Sequence, residues 1–106
     1  MDVQLATAVG ATDTALLETT IDENFRATVA AHGDREALVV RHQGIRWTYD
    51  ELDTRVDELA RALLAGGLEV GDRVAIWSPN RYEWVLTQYA TARIGAIMGC
   101  VNPAYR

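Results

Sequence analysis

Lysine is absent from this chain, and all ten of its basic residues are arginine. A guanidinium keeps its proton in a protein and meets anions as a planar fork, so no compact, titratable ammonium is available. Cysteine occurs once, at Cys100, which excludes an intrachain disulfide. Its neighbours Ile97, Met98, Gly99 and Val101 are mostly apolar, and the expectation is an inert thiol packed in the core. Basic clusters are missing too. Ten arginines face fifteen acidic residues, giving a net charge of −5 and no footprint for nucleic acid. No apolar run approaches the ~18 residues of a membrane-spanning helix. The opening stretch Met1–Leu17 carries Asp2 and Asp13 but no cation, unlike a secretory signal. A cytoplasmic chain without a membrane span is expected. At 106 residues, one domain with a thin core is the ceiling.

Residues 1–19 show neither periodicity nor turn chemistry and are expected to form a loose leader. Thr20 followed by Glu23 makes a capping box, and Ile21, Phe25 and Val29 recur every four residues. A helix over 21–32 is predicted, stopped by a left-handed Gly33. Two β-prone runs, 37–43 and 45–49, flank Gly44 as a hairpin. Thr48 and Glu51 form a second capping box, and Leu52, Val56, Leu59 and Leu63 set the inner stripe of a helix ended by Gly66-Gly67. A buried strand over 73–78 follows, then Pro79 as a breaker and Asn80 as the cap of a third helix. With a strand over 97–101, this is a parallel βαβ unit. The fold class expected is α/β: a partial three-layer fragment with a β-hairpin, capped helices and that βαβ unit.

Chemistry has few places to reside. Gly66-Gly67 follows a helix and lies at the wrong end of its dipole for phosphate. Ser78-Pro79-Asn80 stands after a parallel strand and before a helix, the crevice position of an open sheet. Yet Pro79 offers no N–H and no glycine admits a pyrophosphate there, which favours capping. Asp50, Glu51 and Asp53 could suggest a divalent cation, but acidic residues suit a helix's first turn. His32 and His42 have no zinc-spaced partners. Trp47, Trp77 and Trp84 are expected on buried faces.

Trp47-Thr48-Tyr49-Asp50-Glu51-Leu52 resembles the first core motif of the AMP-forming adenylate enzymes, a superfamily of acyl-CoA synthetases, luciferases and adenylation domains. Gly71–Ile76 resembles the strand that follows it. Ser78-Pro79-Asn80 with Glu83-Trp84 resembles the acyl-CoA synthetase version of the next helix start. Ala92–Ile97 through Asn102-Pro103 is similar to the second core motif. The segment Asn80–Ala90 and the stretch Asn102–Arg106 look most like medium- and long-chain fatty-acyl-CoA synthetases.

The resemblance implies a parent reaction in which a fatty acid is joined to AMP with MgATP and then passed to coenzyme A. It implies mainly structural roles for the matched motifs. The family's Ser/Thr/Gly-rich phosphate loop, adenine-binding aromatic segment, ribose-binding aspartate and catalytic lysine have no counterpart here. No catalytic, cofactor-binding or metal residue is therefore assigned, and no cofactor is expected to bind. Residues 20–106 are expected to form an incomplete N-terminal part of an AMP-binding domain, inactive alone. The alternative is a non-catalytic interaction module that pairs with itself or with the rest of a synthetase, strand 97–101 being its open edge. Gly99 stands where a larger apolar residue is usual and should weaken that strand.

Overall fold

A computed structural model describes residues 5–105. Residues 5–19 are exposed and carry no helix or strand. Helix α1 (Ile21–His32) begins on the Thr20 box: the Glu23 amide donates to Thr20 Oγ1 at 3.1 Å and the Thr20 amide to Glu23 Oε2 at 3.2 Å. Two amides left orphaned by the first turn are thus satisfied reciprocally. Of its apolar stripe, Phe25 is buried and Val29 half-buried, while Ile21 stays exposed.

Gly33 departs from the expected left-handed stop, with φ −51° and ψ −35°. Its lack of a side chain serves a close approach instead. A Cβ there would collide with the Asp50 carboxylate, and the Gly33 carbonyl accepts from the Asp50 amide at 2.9 Å. The glycine lets the end of α1 touch the start of the next helix.

The hairpin pairs β1 (Glu36–Val40) with β2 (Ile45–Thr48) antiparallel, with a register irregularity between Glu36 and Leu38. Its first strand is shorter than predicted, because Arg41–Gln43 form a 3₁₀ turn closed by Gly44 at φ 67°. Helix α2 (Tyr49–Ala65) starts on the second box, Glu51 N to Thr48 Oγ1 and Thr48 N to Glu51 Oε1, both 3.2 Å. Leu52, Val56 and Ala60 are buried on its inner face. They form the core with Phe25 and with Ala90 of α3 (Tyr82–Ile94).

The predicted βαβ unit is present: β3 (Arg73–Trp77) runs parallel to β4 (Ile97–Val101), with α3 between them. The junction joins two of the sequence motifs directly. Gly71 N donates to Gly95 O at 2.9 Å and Ile97 N to Asp72 O at 2.8 Å. The strands are less buried than predicted. Val74 and Ile76 are half-buried, but Ala75 is exposed and Trp77 retains 61% of its surface. Cys100 is likewise exposed rather than packed in the core. Among the described residues, no further strand or helix covers this part of the sheet, so side chains of core type stand in solvent.

One side chain ties the three helices together. Arg93 on α3 is only 6% exposed and donates to Asp22 Oδ1 of α1 and Asp53 Oδ1 of α2, each at 2.7 Å, with Asp57 at 3.9 Å. Its guanidinium carbon lies 5.7 Å from the centroid of the Phe25 ring. The planar guanidinium presents separate N–H groups, Nε to Asp22 and Nη2 to Asp53, so one side chain serves two carboxylates. Burial alone pushes the Asp22 carboxyl up, but hydrogen bonds from Arg26 and Arg93 outweigh it and hold the group below its ordinary 3.8. Burial opposes the Arg93 charge in the same way, and its two carboxylate partners reverse the shift and raise its pKa.

Candidate functional site

The crevice position singled out in the sequence lies at the carboxyl end of β3. Ser78 Oγ donates to the Pro79 carbonyl at 2.9 Å, and Asn80 does not cap α3. Arg81 is the cap position, but its side chain caps no backbone amide and donates to Glu83 Oε2 at 3.3 Å instead. The cap comes from 39 residues away: Gln43, at the end of the hairpin's 3₁₀ turn, accepts the Tyr82 amide on Oε1 at 2.8 Å. Its Nε2 donates to Glu83 Oε2 at 3.2 Å. The chain bends at Pro79 and Asn80, and the cap is filled from a neighbouring element. No local spacing signals such a contact, which is why Gln43 is invisible in the sequence.

This arrangement disfavours a phosphate. One amide of the helix terminus is already taken by Gln43, and the Glu83 carboxylate occupies the first turn. Burial pushes the Glu83 carboxyl up, but its own backbone amide, Gln43 and Arg81 outweigh this and keep it below its ordinary 4.5. The helix dipole is thus met by an internal negative charge.

Beside that terminus runs a groove of ≈ 540 Å³, floored by Trp47, Leu59 and Leu86 and rimmed by Arg55, Glu58 and Glu83. Trp47 meets the Tyr82 ring edge-on, with centroids 5.2 Å apart. Arg55 lies 5.6 Å from the centroid of the Trp47 ring and 3.5 Å from Glu58. The groove offers apolar surface, one engaged cation and two carboxylates, which can cradle hydrocarbon but cannot neutralise a triphosphate.

The remaining candidates separate in space or are already engaged. Glu51 is spent on the Thr48 cap, Asp53 on Arg93, and Asp50 packs on Gly33. No group of three His, Cys, Asp or Glu side chains among the described residues could hold a metal. The Gly66 and Gly67 amides donate to Ala62 and Leu64 carbonyls, both at 3.0 Å, and close α2. His32 and His42 are both exposed. No described helix is long and apolar enough to cross a membrane.

Comparison with known proteins places this geometry. Residues 25–106 match the profile of the AMP-binding enzymes. The chain is similar to the mouse medium-chain acyl-CoA ligase ACSF2, mitochondrial: 48% identical over 97 residues, 92% of this chain and 16% of the relative. The zebrafish protein of the same name is 50% identical over 91 residues, 86% of this chain and 15% of its own length. A fatty acyl CoA synthetase of Mycobacterium tuberculosis superposes with TM-score 0.78 at 28% identity, over 81% of this chain and 17% of that one. The N-terminal subdomain of Klebsiella oxytoca NpsA gives 0.76 at 30% identity, over 82% and 22%. The chain thus spans about one-sixth of the curated relatives it matches. The three capped helices, the hairpin and the parallel strand pair are those of an adenylate-forming N-terminal domain, and the chain belongs to the AMP-binding enzyme family.

Proposed function

We propose that this chain forms the N-terminal packing unit of a fatty-acid–CoA ligase and makes no acyl-AMP by itself. The parent reaction would activate a fatty acid with MgATP and transfer it to coenzyme A, and this segment would bind none of these alone. The observation that carries the reading is the alignment of 92% of the chain with 16% of a medium-chain acyl-CoA ligase. Chemistry supports it: the groove's one cation is engaged by Glu58, and charge developing on a phosphoryl group needs fixed donors or metal. Residues 20–106 act as the packed unit, with 1–19 a loose leader, and a cytoplasmic location remains part of the proposal. The test is fatty-acid-dependent pyrophosphate release from MgATP by the purified chain. No release is expected, and sustained turnover or acyl-AMP formation would refute the claim.

A second reading, an interaction module, is favoured by the exposed apolar face of β3 and β4. Light scattering after size exclusion decides whether the chain pairs with itself. A monomer at all concentrations would remove self-association.

A further inference from the structure

The leader carries apolar side chains that nothing covers. Residues 5–19 are all exposed, Leu16 and Leu17 to 90% and 79%. The chain's radius of gyration is 18.3 Å, against about 13 Å for a compact chain of this length, so the leader stands off from the packed helices. It is also shared sequence. The alignment with the mouse ligase covers 92% of this chain, more than residues 20–106 supply, and therefore runs into the leader. An apolar segment of this kind marks an interaction. A surface that complements it lies where the hairpin meets the start of α3. There a groove of ≈ 280 Å³ is lined by the half-buried Val40, Trp84 and Val85 and by the exposed His42, Asn80 and Arg81. Two of these six are basic and none is acidic. The leader is opposite in charge, since Asp13 and Glu18 are its only charged residues between positions 5 and 19.

We infer that two copies of this chain pair by exchanging leaders, Leu16 of each entering the Val40–Trp84–Val85 groove of the other while Asp13 meets Arg81 and His42 at its rim. The inference rests on the self-association reading and gives it a contact away from β3 and β4. Exchange of an identical segment is a low-cost route to a dimer, because each contact is made twice. Opposite charges at the rim fix which way the leader lies.

The test is a charge-reversal pair, Asp13→Arg and Arg81→Asp, followed by sedimentation across micromolar concentrations with circular dichroism as the check on folding. The unsubstituted chain should dimerise, and either variant alone should weaken the dimer roughly tenfold or more. An equimolar mixture of the two variants should restore it, because each leader then meets a groove of opposite charge on the other copy. Leu16→Asp lies in the exposed leader, where folding is not at stake, and should give the same loss without rescue by Arg81→Asp. Folded variants that stay monomeric when mixed would overturn the inference and leave the leader on its own groove. A dimer indifferent to Asp13→Arg and Leu16→Asp would overturn it too, placing self-association on another face. A chain that is monomeric throughout removes the self-association reading and the inference together.

Discussion

Replacing Arg93 with methionine tests whether one guanidinium holds the three helices in register. The substitution keeps most of the hydrocarbon stem over Phe25 while removing the charge and its donors. Stripping one partner from a fully buried ion pair costs about 3–5 kcal/mol. Here the figure must be reduced, since Asp53 and Asp57 are 35% and 43% exposed and regain water once freed. Asp22, at 16%, is left the least solvated, though Arg26 still reaches it at 2.7 Å. The expected loss is about 2–3 kcal/mol, read from urea unfolding followed by circular dichroism. Adding Asp22→Asn should recover about 1 kcal/mol of it, the signature of a coupled pair. The pH dependence provides a second check. The Asp22 carboxyl is depressed on folding, so its contribution is fully present above 3.8 and fades as pH falls through the folded value. The gap between wild type and Arg93→Met should therefore be widest near neutrality and shrink in acid. A loss under about 0.5 kcal/mol, or a gap constant with pH, would refute the reasoning.

Gln43→Ala should cost about 1 kcal/mol by uncapping α3, and hydrogen exchange at the Tyr82 amide should quicken without change in α2. Gly33→Ala should be near neutral alone: its helical backbone favours alanine by about 0.4–1 kcal/mol, but the new Cβ must displace the Asp50 carboxylate. Combined with Asp50→Ala it should become stabilising, and a combined variant no better than Gly33→Ala alone would count against that contact. Val56→Ala empties a wholly buried position and should lower unfolding free energy by about 2 kcal/mol in the same titration.

What could be read from the sequence was what neighbours in the chain decide. The Thr20–Glu23 and Thr48–Glu51 boxes rest on contacts within one turn, and the stripe from Leu52 to Leu63 and the strand–helix–strand order show as local periodicity. Contacts between distant elements were not legible. Asn80 has the right chemistry for a cap, yet Gln43 reaches the site from another element. Gly33 looks like a left-handed stop but is small because Asp50 lies against it. Arg93 sits in a recognisable motif, and nothing in that motif tells that its charge is buried among carboxylates from two other helices. Trp77 and Cys100 mislead in the opposite direction. Their sequence surroundings are those of a core strand, and they stand exposed because burial depends on cover that the described residues do not supply. Of the candidate site, Pro79 and the absence of glycine could be read along the chain, whereas the Gln43 cap could not.

The hydrogen bond from Trp77 to the Asn102 carbonyl fixes one indole in water, whereas the other two, Trp47 and Trp84, are half sheltered. Emission from this chain should accordingly hold a red component quenched readily by iodide or acrylamide. Because the ring is anchored rather than tumbling, that component should also stay strongly polarised. Any event that dries the surface around it would then announce itself as a blue shift, with no dye attached.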